Sequence, residues 1–115
     1  MPMIRLQTTA ALNDEKKTVL LGTLSKIISE ATGKPETYVM VVIEQAAIMM
    51  SGKTGDAAFA DIRGIGGLGG RVNGIISEKV CTALKSSLGI SPDRIYLNFT
   101  NVSASDWGWN GKTFG

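Results

Sequence analysis

The sequence contains no histidine and a single cysteine, Cys81. That removes the commonest catalytic base, the commonest metal ligand, any cysteine-based metal cluster and any internal disulfide. Proton chemistry near neutral pH is left to a carboxylate, a lysine, the thiol or the chain's own terminal amine. Of these, Pro2 offers the most specific chemistry. With Met1 removed, which a small second residue favours, the chain begins with a secondary amine. An amine opening a buried strand loses hydration, and near Lys34 it would also feel a like charge; both effects disfavour protonation and lower its pKa. A neutral amine at working pH is a general base.

Lys34 follows a predicted helix end, where it is either a cation stabilised by the helix's negative pole or an anchor for an anionic substrate. Its position relative to other groups separates the two. Gly64-Ile65-Gly66-Gly67-Leu68-Gly69 formally matches G-x-G-x-x-G between a strand and a helix. No acidic residue stands about 20 positions on, near Ser86 to Ile90, and the chain is short for a dinucleotide-binding sheet. A tight strand-to-helix turn is therefore the reading, with a nucleotide-binding module as a rival that thermal shift would test; bare N–H groups at such a helix start can still hold a carboxylate. Gly52-Lys53-Thr54 resembles the tail of a phosphate loop, but Ala47 replaces its leading glycine, so a plain loop is expected. Cys81 adjoins the apolar stripe of a helix and reads as a buried, inert thiol. Tyr96 and Asn98 share one face of a strand, where a polar Asn needs a partner. Trp107, Trp109 and Phe114 concentrate aromatics that either a core or a pocket would use.

These groups are positioned by a simple repeated grammar. Met3–Thr8 alternates around Ile4 and Leu6 and predicts a strand. Asn13 caps a helix with Asp14 and Glu15 in its first turn, Leu20, Leu24, Ile27, Ile28 and Ala31 on one face, and Gly33 and Pro35 ending it. Tyr38 to Ile43 is a continuous apolar run, read as a strand buried on both faces. The pattern then recurs. Ala57 to Ile62 predicts a strand, Val72, Ile76, Val80, Leu84 and Leu88 a helix, Gly89 and Pro92 its end, and Ile95 to Phe99 a last strand. Two βαβ halves are implied. Two helices cover only one face of a four-stranded sheet, so the second face is expected to be covered by another copy of the chain.

At 115 residues, 43% of them hydrophobic and 19% charged, the chain has the size and composition of one folded domain. A formal charge of +2 cannot build the dense basic face that nucleic acids need. No apolar run approaches a membrane span, and Met1 to Arg5 does not open a secretory signal, so the expected address is the cytoplasm.

Taken together, Pro2, Ala31-Thr32-Gly33-Lys34-Pro35 with Tyr38, Gly64-Ile65-Gly66-Gly67, Ile90-Ser91-Pro92-Asp93-Arg94-Ile95-Tyr96-Leu97-Asn98 and Gly108-Trp109-Asn110-Gly111 with Thr113-Phe114 resemble the macrophage migration inhibitory factor family, within the tautomerase superfamily. The resemblance spans residues 1–115 as a single domain. It implies an α/β fold of two pseudo-symmetric βαβ repeats, a four-stranded mixed sheet with two helices on one face, assembled as a homotrimer. It implies an isomerase that interconverts keto and enol forms of phenylpyruvate-like or dopachrome-like compounds, without cofactor or metal. Pro2 would be the base; Lys34 and the Ile65 N–H would bind substrate oxygens; Tyr96 and Asn98 would enter from a neighbouring subunit. Met3, Tyr38, Trp107, Trp109 and Phe114 would form the pocket wall. The family also implies an alternative, a cytokine-like ligand exported by a non-classical route and binding a protein receptor. Three departures stand out: Ala57 and Ala60 replace a Cys-x-x-Cys of some vertebrate members, the loop near Met49 to Gly52 is about one residue shorter, and Trp107 replaces a smaller residue.

Overall fold

A computed structural model describes residues 1–115. In β1, Met3–Thr8, the alternation works as expected: Ile4, Leu6 and Thr8 are buried and Arg5 is exposed on the opposite face. Helix α1, Asp14–Thr32, starts where Asn13 Oδ1 accepts the Lys16 N–H at 2.8 Å, satisfying one of the donors that a helix start leaves open. Leu20, Leu24 and Ile28 are buried along it, with Ile27 and Ala31 packed beside them. Gly33 stops it in the left-handed region, at φ +72°, which glycine adopts without a Cβ clash. A 3-10 turn, Glu36–Tyr38, leads to β2, Met40–Gln45.

The second half repeats the first. Strand β3, Ala58–Gly64, is followed by α2, Gly70–Leu88, of the same length as α1, with Ile76, Val80 and Leu84 buried. Gly89 ends α2 as Gly33 ends α1, and a turn at Pro92–Arg94 leads into β4, Ile95–Asn101. Met3 lies opposite Met40 and Ala58 opposite Ile95, an identical separation along the chain. The chain closes with a turn, Ala104–Asp106, and a small hairpin of β5, Gly108–Trp109, and β6, Lys112–Thr113.

The sheet order is β2-β1-β3-β4, with parallel outer pairs and an antiparallel central pair. One apolar cluster joins the inner row of the strands to both helices. No helix is long and apolar enough to cross a membrane.

One reading is corrected: Tyr38 and Val39 precede β2, because Pro35 holds an extended entry into the 3-10 turn. Within one chain only one face of β2 is covered; it is an edge strand, Met40 is 61% exposed, and its outer row carries Glu44. Across that outer face Arg5 lies 3.9 Å from Glu44 and 4.0 Å from Asp61, and Arg63 lies 3.3 Å from Asp61. Exposed ion pairs of this kind contribute little stability, but they make the uncovered face charged rather than apolar.

The Gly52-Lys53-Thr54 segment lies at a tight turn, with Ser51 and Gly52 at φ 57° and 70° and Met50 and Lys53 exchanging both backbone bonds at 3.0 Å. That is two-residue hairpin geometry. Arg94 holds this loop from β4's approach: its guanidinium donates to the carbonyls of Met50 at 2.8 Å, Lys53 at 3.1 Å and Asp56 at 3.1 Å. Arg94→Ala is expected to lower the unfolding free energy by about 1–3 kcal/mol and to speed tryptic cleavage after Lys53. A denaturation midpoint and cleavage rate equal to wild type would show that the loop holds itself.

Candidate active site

The double pairing of β1 carries the chain's beginning into a junction of three elements. Met3 lies opposite Met40 on one side and Arg63 on the other, so the residues before it run between the start of β2 and the end of β3. The Met40 N–H donates to the Pro2 carbonyl at 3.2 Å, and the Pro2 side chain is fully buried. Tyr38, 52% exposed, flanks this end from the turn before β2.

Lys34 reaches the same junction from the end of α1. Its backbone is held by Ser29, whose hydroxyl donates to the Lys34 carbonyl at 2.6 Å. Its ammonium donates to the Ile65 carbonyl at 2.8 Å and the Gly66 carbonyl at 3.2 Å. An ammonium has three protons, so one remains for a ligand. No carboxylate forms an ion pair with it. Burial, and secondarily the positive charge of Lys34, hold the Met1 amine below its ordinary pKa. The chain's first residue and Lys34 are thus close enough for one charge to act on the other.

The glycine-rich turn presents its backbone selectively. Four of its carbonyls are committed: Gly64 accepts from the Val102 N–H at 2.8 Å, Ile65 and Gly66 from Lys34, and Leu68 from Asn101 Nδ2 at 3.0 Å. The Ile65, Gly66 and Gly67 N–H groups have no partner within the chain. Free amides beside an uncompensated ammonium suit a ligand carrying oxygen and negative charge. The turn depends on Gly67, at φ +83°, where a Cβ would lie 3.2 Å from Lys34 Cε and 3.3 Å from its Nζ.

The remaining expected residues divide into three groups. Met3 and Trp107 line one hollow of about 280 Å³ with Arg63, Val102, Asp106 and Gly108. Trp109 and Phe114 stack with ring centroids 6.1 Å apart and planes 10° from parallel, on the C-terminal hairpin, which packs chiefly against the turn before it. Tyr96 and Asn98 lie on the outer face of β4, opposite Phe59 and Asp61. Tyr96 is roughly 17 Å along the strand from Asn101, the residue opposite Gly64. The single chain brings Pro2, Lys34 and Ile65 to one end of the sheet, with Tyr38 in the turn before β2, and keeps Tyr96 and Asn98 apart from them. Cys81 is half-buried with its thiol pKa raised by burial, in keeping with an inert role.

Sequence reasoning passed over Asn101, whose side chain bonds both backbone groups of Leu68. A signal existed: the inward row Ile95, Leu97, Phe99 ends on this amide. A polar residue completing an apolar row needs a polar partner.

Two parallel βαβ units back to back, with a chain terminus, a lysine and a glycine turn at one sheet end, define a protein of the tautomerase-superfamily fold. The family model of macrophage migration inhibitory factor (MIF) matches residues 1–115, and the chain belongs to that family. It is 36% identical over 118 residues to the macrophage migration inhibitory factor of Rattus norvegicus, covering 99% of each chain. Among solved structures it is similar to a macrophage migration inhibitory factor-like protein of Entamoeba histolytica, at 34% identity and TM-score 0.93 over 98% of each chain. A homologue from Prochlorococcus marinus aligns at 37% identity and TM-score 0.91 over 98% of this chain and 99% of that one.

Gly67→Ala is expected to destabilise the fold by about 1–2 kcal/mol through its positive φ and to push the Lys34 side chain off the turn. Urea denaturation reads the first effect. A crystal structure of the variant with Lys34 still on both carbonyls would refute the second.

Proposed function

We propose that this chain is a keto–enol tautomerase whose general base is the Pro2 nitrogen, freed by removal of Met1. The observation supporting this most directly is that Pro2 is buried at the junction that Lys34 reaches, where the Met1 amine one residue earlier already has its pKa lowered by burial and by Lys34. Removing Met1 places the terminal amine on the Pro2 ring, where the same two causes act on it.

The substrate is a small aromatic α-keto acid or its enol, phenylpyruvate-like or dopachrome-like. One substrate oxygen takes the third proton donor of Lys34, and another takes the Ile65 N–H. The neutral Pro2 amine accepts a proton from the carbon next to the carbonyl, and negative charge develops on the oxygen. The ammonium and the backbone amide stabilise that charge as it forms. Proton return to oxygen gives the enol, and the reverse sequence gives the keto form. One proton leaves and one arrives, so the step balances without a metal or cofactor.

Tyr96 and Asn98 complete the pocket from a neighbouring copy in a homotrimer. Their distance from the same chain's Pro2, the free edges of β2 and β4, and the uncovered outer sheet face support this. Met3, Tyr38 and Trp107 supply the wall, and Trp109 and Phe114 the rim.

The test is enol-to-keto conversion of phenylpyruvate by protein whose intact mass shows Met1 absent. Turnover is expected, and Pro2→Gly should keep the fold while lowering kcat by roughly 100-fold or more. Protein retaining Met1 should be inactive, because its Pro2 nitrogen is an amide. Lys34→Ala should raise KM by about tenfold or more, the loss of one charge-assisted contact.

The pH profile carries a sign. The base works unprotonated, so kcat/KM should fall as pH drops through the amine's pKa. Lys34 lowers the pKa of the Met1 amine and should act in the same direction on the Pro2 amine, so Lys34→Ala should move the acid limb to higher pH. A limb left in place would mean that the titrating base is not this amine.

A further inference from the structure

We infer that Asn101 is a positioning residue for substrate binding: its side-chain amide fixes the turn that presents the Ile65 N–H. This rests on the tautomerase reading above. The geometry is a two-point clamp. Asn101 Oδ1 accepts the Leu68 N–H at 3.3 Å, and Asn101 Nδ2 donates to the Leu68 carbonyl at 3.0 Å. The side chain thus substitutes for the next peptide group of a strand, extending β4's pairing by one step beyond the Val102-to-Gly64 bond.

The clamp matters because of where the turn is weak. Gly66 and Gly67 are both at positive φ, at 69° and 83°, and the turn residues Ile65, Gly66 and Gly67 donate no backbone hydrogen bond within the chain. Glycines hold no conformation by themselves. The turn enters at Gly64, held by Val102, and leaves at Leu68, held by Asn101; only Lys34 grips the middle. Gly69, the residue before α2, donates its N–H to Asn73 Oδ1 at 3.1 Å, which ties it to the helix and not to the sheet. Without Asn101 the exit of the turn keeps no hydrogen bond to the sheet and is left with the packing of the half-buried Leu68 side chain on the core, so that Lys34's acceptor carbonyls and the Ile65 amide are free to shift together. Asn101 itself reaches neither the terminus nor Lys34, so its influence passes through the turn.

The experiment compares wild type, Asn101→Ala and Asn101→Asp, all with Met1 removed. The Asp variant keeps the acceptor for the Leu68 N–H and opposes the Leu68 carbonyl with a second oxygen. Both variants are expected to raise the KM for phenylpyruvate enol by about tenfold, with a smaller change in kcat. The acid limb of the kcat/KM profile should stay in place, since the amine's neighbours are untouched. Hydrogen–deuterium exchange should quicken in a peptide spanning residues 64–69 and not in one spanning β1. Tm and active-site titration correct for any unfolded fraction, and the Asp variant serves if the Ala variant does not fold. Active wild type with an unchanged KM in both variants overturns this inference alone. Inactive wild type overturns the tautomerase reading and this role with it. A KM rise accompanied by equal exchange in every segment overturns the positioning role in favour of general destabilisation.

Discussion

β1 is hydrogen-bonded along both edges, parallel to β2 and antiparallel to β3, and the site follows from this double pairing. A strand paired on one edge could fray at its beginning. Here the residues ahead of Met3 are held between the entry of β2 and the exit of β3, with the Pro2 carbonyl bonded to Met40. Chain termini are ordinarily the least ordered part of a domain. This one is seated where a helix end and a glycine turn converge, so a group with no secondary structure of its own acquires a defined environment.

Electrostatics at that junction act by leaving groups unpaired. The acidic residues of the outer sheet face, Glu44 and Asp61, engage Arg5 and Arg63 and not Lys34. The Gly64, Ile65, Gly66 and Leu68 carbonyls of the turn are already satisfied by Lys34, Val102 and Asn101. What is left unpaired at the junction is an ammonium proton and backbone amides, beside a Met1 amine whose pKa is lowered. The selectivity lies in which polar groups are consumed internally, since satisfied donors and acceptors contribute little further to recognition.

The period-2 and four-residue patterns made the architecture readable, because both helices and three of the four strands bury a single face. Asn13, Gly33 and Gly89 are local signals, and each caps its helix as local chemistry dictates. The apolar run from Tyr38 to Ile43 did not show where β2 starts or that it lies at a sheet edge; the edge depends on which strands pair, a non-local property. The proximity of Pro2, Lys34 and Ile65 was suggested by residue type but created by topology, since they come from three separate elements. Asn101 went unread because its partner is a backbone group 33 positions away, which no motif encodes. The separation of Tyr96 and Asn98 from Pro2 lay outside local pattern altogether, for it depends on strand direction and register.

The matched halves have a further consequence at the opposite end of the sheet. Superposing Asn13 and Gly33 on Gly69 and Gly89 brings Pro2 onto Ala58, Lys34 onto Ile90 and Ile65 onto Thr9. Ala58 is 3% exposed and Ile90 is wholly buried, and the Thr9 N–H is spent on the Ala57 carbonyl at 3.1 Å. The mirror position is a plugged socket, with an alkyl group where the cation would stand and an ordinary peptide nitrogen where the base would be. A duplicated scaffold therefore carries one such junction per chain, and the asymmetry is topological: a backbone has a basic nitrogen only where it is cut. Circular permutation that opened the chain ahead of Ala58 would move that resource to the silent end, which places the evolvability of this architecture in its connectivity as much as in its side chains.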